Sequence, residues 1–288
     1  MRLTAAVTQG SGAVNEDGFG YIGTADDVSA AWIFDGVTGI NARNHLPAKT
    51  DAQWLVARAR GHLLRLAGRD IGLSDILAQL VSALIADWRE ASAGLDLPAD
   101  YDPPAACLIL AKRYGSHWQA LRLGDSCLLA RDRGGDHRIH AASPNNAFDH
   151  WLSREARKRR DAGVVDIKAL LAEFRPQLKA GRAKRNQPDG YSILECSEAA
   201  LAMPEYIDLG APGDLLLCTD GYYRAVDHYE MFDDAGLLDA SGKGVESVLA
   251  SIRLTEAGDP DCLKYLRFKP ADDATAVMLS HRRYGERE

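Results

Sequence analysis

The sequence has few of the features that mark disulfide-linked or zinc-binding proteins. Only five cysteines occur in 288 residues, none of them in a Cys-x-x-Cys pair, and no histidine stands at the spacing of a zinc ligand. Most of these cysteines lie in apolar, strand-like runs, where a reduced and buried thiol is the simplest interpretation. We therefore expect neither a disulfide framework nor cysteine metal ligands. The cysteines are Cys107, Cys127, Cys196, Cys218 and Cys262.

An excess of positive charge and long apolar segments are also lacking. The chain has 34 basic and 41 acidic residues, which gives a net charge of −7. Broad binding to a phosphate backbone needs a concentrated positive surface, so nucleic acid is not expected as a partner. The apolar run at the N-terminus is too short for a secretory signal, and no later stretch could cross a bilayer. We expect a cytoplasmic protein with no membrane partner.

Short strand patterns and amphipathic helical patterns alternate along the chain. Their order fits two antiparallel sheets with helices outside better than a parallel sheet, so we predict one α+β domain over residues 1–288 with an αββα sandwich. A helical, flap-like insertion is predicted at about 144–190. Strands are predicted at 3–8, 18–23, 28–34, 105–111, 117–123, 126–131, 191–195, 214–219 and 274–280. Helices are predicted at 51–67, 74–91 with Ser74 as N-cap, 147–185 in two parts, and 243–257.

Several acidic residues stand where an apolar strand ends. Residues 30–34 lead into Asp35, residues 121–124 into Asp125, and residues 215–219 into Asp220. A carboxylate at the mouth of a buried strand is costly unless it is hydrogen-bonded, paired or bound to a cation. Any one Asp-Gly could equally be an ordinary turn, but unrelated turns have no reason to share this placement.

Two further acidic segments flank the first and last strands. They are Asn15-Glu16-Asp17 and Asp272-Asp273. If these groups converge with the strand-end acids, their mutual repulsion would favour a bound divalent cation. Carboxylate oxygens without histidine or cysteine at the same sites point to Mg²⁺ or Mn²⁺ rather than zinc.

As an ordered set, these motifs resemble those of the protein phosphatase 2C family over roughly residues 3 to 281. The resemblance implies an αββα sandwich, two bridged manganese or magnesium ions with a weaker third, and hydrolysis of phosphoserine or phosphothreonine by metal-activated water. A phosphoprotein substrate and a cognate kinase are the implied partners. The motifs are Asn15-Glu16-Asp17, Phe34-Asp35-Gly36, Leu123-Gly124-Asp125-Ser126, Thr219-Asp220-Gly221 and Asp272-Asp273-Ala274-Thr275.

The resemblance also implies a role for each matching residue. Asp35 would bridge the two ions and, with Asp220, would be central to catalysis. Gly36 would offer its backbone carbonyl, and Asp220 and Asp272 would complete the coordination of one ion.

The remaining acids would serve the other ions. Glu16 and Asp17 would hold the second ion, partly through water, and Asp125 would belong to the third site. Asp273 replaces an asparagine that is usual in the family and adds a negative charge, which we expect to alter metal affinity.

The sequence departs from the family at three places. Gly12 stands where the family commonly carries an arginine that grips the substrate phosphate. Pro104-Ala105-Ala106-Cys107 replaces a glycine-threonine signature, and Asp35 to Gly39 reads Asp-Gly-Val-Thr-Gly instead of Asp-Gly-His-Gly-Gly. These departures leave two alternatives open, a catalytically weak or inactive regulatory module and a phosphatase for a small phosphorylated metabolite.

Some other cation is expected to replace the missing arginine. Arg182 and Arg185 are the candidates, since they lie in a Gly- and Pro-punctuated segment where the family has a variable flap. The alternative is that both are ordinary solvated charges at a helix C-terminus.

Overall fold

The computed structural model describes residues 1–10, 14–37, 39–41, 43–140, 154–159, 163, 167–267 and 269–281. Its strands are β1 Arg2–Thr8, β2 Gly18–Thr24, β3 Asp27–Gly36, β4 Ala105–Tyr114, β5 His117–Leu123, β6 Cys127–Asp132, β7 His137–His140, β8 Leu194–Glu195, β9 Glu205–Gly210, β10 Pro212–Cys218 and β11 Ala274–Ser280. Its longer helices are α1 Asp51–Leu66, α2 Leu73–Ala91, α3 Ile167–Arg182, α4 Asp220–Asp227, α5 Asp234–Lys243 and α6 Val245–Ala257.

The strands form two antiparallel sheets that pack face to face. One sheet has the order β1-β11-β10-β6-β7, and the other has the order β2-β3-β4-β5-β9 with β8 paired to β4. Side chains alternate between the faces of a strand, so Ile33 of β3 meets Leu217 and Val277 of the opposite sheet. This inner layer is the core between the sheets.

Helices cover both outer faces. Trp32 and Phe34 of β3 point away from the inner layer and pack with buried residues of α1 and α2. On the opposite side, Leu216 and Met278 pack with buried residues of α4, α5 and α6. The predicted fold class, an α+β sandwich of two antiparallel sheets flanked by helices, is confirmed.

Most predicted elements are present, with local differences. Ser74 is not an N-cap, because α2 begins at Leu73 and Gly72 occupies the cap without a side-chain hydrogen bond. The strand expected at 191–195 shortens to β8, since the preceding residues form a turn stabilised by hydrogen bonds between Lys184 and Tyr191 and between Asn186 and Tyr191.

In the described part of the chain, two of these strands and two of these helices have no counterpart in the prediction. Strands β7 and β9 lie at the edges of their sheets, and the short helices α4 and α5 are rich in polar residues. Such short elements contain few residues over which a hydrophobic pattern can repeat, which explains why the pattern did not reveal them.

Part of the predicted insertion lies outside the described residues, as do Gly12 and Thr38. Within the insertion, α3 begins next to Asp166, where the second helix was expected.

Among the described helices, none combines the length and apolar character that a membrane span requires.

Candidate metal centre

Asp35 lies at the end of β3, where the strand reaches one end of the sandwich. The residues before it are fully buried, so the strand is held firmly and the carboxylate is only partly exposed. The next residue must be small, since a Cβ atom on Gly36 would lie 2.5 Å from the carbonyl oxygen of Glu16. The two motifs therefore pack backbone to backbone, and Glu16 itself is buried.

Asp17 connects the two sheets. It precedes β2, and its Oδ2 accepts hydrogen bonds from the Thr219 hydroxyl at 3.0 Å and the Thr275 hydroxyl at 2.8 Å. These threonines follow β10 and begin β11, and the Thr219 hydroxyl also accepts a bond from the Thr275 backbone amide at 2.9 Å. The first, fourth and fifth motifs thus meet at one point.

Asp35 is surrounded by the other acids. Burial raises the pKa of its carboxyl well above the ordinary value, and the nearby charges of Asp220, Asp17, Asp125 and Asp272 raise it further. Five acids from distant parts of the chain therefore share one site, which we call the acid cluster.

The same effects act on two other members of the acid cluster. Burial raises the pKa of Asp17 to about 8, against the hydrogen bonds from Thr275 and Thr219 that lower it. Burial also raises the pKa of Asp220. The positive charge of Arg224 and a hydrogen bond with Asp35 lower this pKa, but the net shift is upward. The folded chain thus buries these carboxylates and places them close to other acids.

Two cations that the sequence analysis did not single out contact the cluster. Arg224 Nη2 lies 2.7 Å from Asp272 Oδ2 and 3.9 Å from Asp220 Oδ2. Lys269 Nζ lies 2.8 Å from Asp272 Oδ1. The pKa of Asp272 is lowered because these two charges outweigh its burial. The signal was in the sequence, since Arg224 lies one helical turn after Asp220 and Lys269 three residues before Asp272.

Asp125 approaches the cluster from the turn between β5 and β6. Its Oδ1 accepts a hydrogen bond from the Cys107 thiol at 3.1 Å. Ligand atoms of Asp35, Cys107 and Asp125 all lie within 4.8 Å of one another. Burial, together with Asp125 and Asp35, raises the pKa of Cys107 well above its ordinary value.

Asp273, unlike Asp272, is turned toward the backbone. Its Oδ1 accepts a hydrogen bond from the Gly10 amide at 2.8 Å, and its Oδ2 accepts one from the Glu16 amide at 2.6 Å. The charge that replaces the family's asparagine is therefore stabilised by two N–H groups.

Arg182 and Arg185 are both engaged by Asp102. Arg182 Nη1 lies 2.5 Å from Asp102 Oδ2, and Arg185 Nη2 lies 2.5 Å from Asp102 Oδ1. Arg185 also donates to the carbonyl oxygen of Pro103 at 3.0 Å and is only 7% exposed. Both guanidinium groups are therefore paired with Asp102 and are not ordinary solvated charges.

The donor set of the acid cluster fits divalent cations that prefer oxygen. It consists of carboxylates, of which Asp17, Asp35 and Asp220 have pKa values raised first by burial and further by neighbouring acids, and no histidine takes part in these contacts. A bound cation would relieve that repulsion. Converging carboxylates at one end of an antiparallel two-sheet sandwich therefore form a candidate site for divalent cations.

The chain belongs to the protein phosphatase 2C family, whose model matches residues 7–239. The predicted enzyme class, a metal-dependent protein serine/threonine phosphatase, is thereby confirmed. Among curated proteins no significant match was found.

Solved bacterial phosphatases have the same fold. The serine/threonine phosphatase PstP/Ppp of Mycobacterium tuberculosis is 18% identical, with a TM-score of 0.55 and 97% of this chain and 99% of that chain covered. The catalytic domain of PstP with two manganese ions is 15% identical, with a TM-score of 0.52 and 96% of each chain covered. PppA of Pseudomonas aeruginosa, a regulatory component of its T6SS, is 17% identical, with a TM-score of 0.53 and 97% and 96% covered.

Proposed function

We propose that this protein is an active phosphoserine/phosphothreonine phosphatase of the cytoplasm that uses two manganese or magnesium ions at the acid cluster. The observation that carries the proposal is the convergence of Asp17, Asp35, Asp125, Asp220 and Asp272 in one site, which their contacts and short separations place there. The manganese ions of the PstP catalytic domain support the choice of metal. When bound, the ions would activate a water for attack on phosphorus and neutralise charge on the transferring group.

The chain's own residues hold and orient this centre. Asp35 lies among all the other acids, which suits a bridging ligand, and the Gly36 carbonyl would be a further ligand. Asp220 and Asp272 would hold one ion, while Glu16 and Asp17 would hold the other. Asp17 already has one oxygen fixed by two threonine hydroxyls, so its carboxylate is oriented before any ion binds. Asp125 would serve a third site.

Lys269 is our candidate for orienting the substrate phosphate. It replaces Arg182 and Arg185 in this role, because both of those would have to leave Asp102 to reach a substrate. Burial tends to lower the pKa of Lys269, but Asp272, and beyond it Asp220 and Asp35, raise it, so the ammonium stays charged. Its side chain is 46% exposed, which leaves it accessible at the rim of the acid cluster.

Lys269→Gln should raise KM for p-nitrophenyl phosphate about tenfold at saturating Mn²⁺ and weaken inhibition by inorganic phosphate to a similar degree. The change removes the charge and leaves a polar side chain that is one atom shorter. Steady-state kinetics and phosphate inhibition would be measured beside Lys243→Gln, which removes an exposed charge at the end of α5. Unchanged KM and phosphate inhibition in Lys269→Gln would rule out this role.

A substrate panel tests the proposed function. With Mn²⁺, the protein is expected to dephosphorylate phosphoserine and phosphothreonine peptides more efficiently than small phosphorylated metabolites, and to lose turnover on chelation. Preference for a metabolite would favour the small-molecule alternative that the missing arginine at Gly12 suggested. No turnover of any substrate across Mn²⁺ and Mg²⁺ titrations would favour a regulatory module that binds a partner. If phosphopeptides are preferred, the phosphoprotein substrate and its cognate kinase would be sought next.

A further inference from the structure

Cys107 lies beside the carboxylates that are proposed to bind metal, although the sequence pattern did not suggest any cysteine as a metal ligand. In the pairing of β3 with β4, Asp35 is the direct cross-strand partner of Cys107. Directly paired residues project their side chains to the same face of an antiparallel sheet. The strand register therefore places a thiol next to the acid proposed to bridge the two ions.

The turn after β5 brings the third group. Gly124 has a φ of +89°, and a Cβ atom there would lie 2.4 Å from the Cys107 sulfur. Only glycine permits this close approach, which lays the turn against the thiol and delivers Asp125 to it. Cys107 is 5% exposed, whereas Asp125 is exposed, so an ion could reach the sulfur along the side of that carboxylate.

The three groups lie close enough for a single small ion to draw them together. Bonds from Zn²⁺ to thiolate sulfur are about 2.3 Å long and those to carboxylate oxygen about 2.0–2.2 Å, so two tetrahedral ligands of one ion lie about 3.5 Å apart. The donor atoms of Asp35, Cys107 and Asp125 lie within 4.8 Å of one another. Small side-chain adjustments would bring all three to one ion and leave a fourth position open.

The sulfur changes which ion this group prefers. Thiolate ligands select thiophilic metals, whereas Mg²⁺ and Mn²⁺ prefer oxygen alone. We propose that Cys107, Asp35 and Asp125 form a mixed thiolate and carboxylate site for a thiophilic divalent cation such as Zn²⁺ or Cd²⁺. On binding, the thiol proton leaves to solvent and a sulfur-metal bond forms. The inference rests on the proposed function only in that Asp35 and Asp125 are shared with the proposed Mn²⁺ or Mg²⁺ centre, so the thiophilic ion and Mn²⁺ compete for them.

Cadmium absorption tests this site without any turnover. Titration of the reduced, metal-free full chain with Cd²⁺ should produce an ultraviolet thiolate-to-metal charge-transfer band that saturates at one equivalent. The band should disappear in Cys107→Ser and persist in Cys196→Ser, a matched change at a partly buried thiol that packs against the α1 and α2 side of the core. Asp125→Asn should keep the sulfur but weaken Cd²⁺ binding at least about tenfold.

Each result supports or overturns the inference. A wild-type chain without the band, or a Cys107→Ser chain that keeps it, would overturn the site. If Cys107→Ser does not fold, Asp125→Asn decides, because unchanged Cd²⁺ affinity in that variant would be incompatible with a carboxylate ligand. The two proposals fail separately, since the band is recorded without substrate and Mn²⁺-dependent turnover is recorded without cadmium.

Discussion

Asp35→Asn is expected to reduce Mn²⁺-dependent turnover of p-nitrophenyl phosphate on the order of 1,000-fold or more, with little change in the fold. The substitution removes a charge from the residue that the other four acids surround, and an amide is a poor bridge between two divalent ions. Asp220→Asn should have the same effect, because Asp220 contacts Asp35 and belongs to the same centre.

Initial rates over a Mn²⁺ titration would measure this loss, and circular dichroism would check the fold. Asp96→Asn provides the control, since it makes the same chemical change at an exposed residue between α2 and β4. An Asp35→Asn protein with turnover near that of the wild type would contradict the binuclear centre. So would substantial turnover in the wild type after thorough chelation.

The second large effect concerns stability without metal. Asp35→Asn should raise the free energy of unfolding of the metal-free protein by roughly 1–3 kcal/mol at pH 8, because it removes one charge from a crowded acid cluster. The same variant should lose most of the thermal stabilisation that Mn²⁺ gives the wild type. A substitution that abolishes activity would thus stabilise the protein.

The dependence on pH follows from the raised pKa values. The pKa of Asp17 rises from 3.8 to about 8 on folding, and those of Asp35 and Asp220 are raised as well. The folded state therefore holds these protons more tightly than the unfolded state, so their stabilisation is complete below pH 3.8 and is lost as pH rises through about 8. Mn²⁺ binds the deprotonated carboxylates, so its stabilising effect should grow over the same range.

Thermal unfolding between pH 6.5 and 8, with and without Mn²⁺, would measure both trends. This window avoids the titration of His228, whose pKa is lowered from 6.5 to about 4 by burial and the neighbouring Arg224. Because the folded state binds this proton less tightly, the stability due to His228 increases with pH, but only below pH 6.5. Asp96→Asn again serves as control and should behave as the wild type does. Equal stability of metal-free Asp35→Asn and wild type at pH 8 would mean that the acids do not repel one another.

The sequence by itself determined the fold class and the identity of the acids. Apolar strands such as 30–34 and 215–218 have a strong periodic signal, and each ends at a carboxylate whose placement is costly without a partner. Such local patterns depend only on neighbouring residues. The order of the motifs along the chain then sufficed to suggest the family, even though no single motif was specific.

The tertiary structure alone decided which groups meet. The pairing of β3 with β4 places Cys107 beside Asp35, a relation that depends on strand register between residues far apart in sequence. Likewise, Arg224 contacts Asp272 because α4 packs against β11, while Asp102 engages Arg182 and Arg185. Charge pairing acts through space at distances of a few ångströms, and only the fold sets those distances.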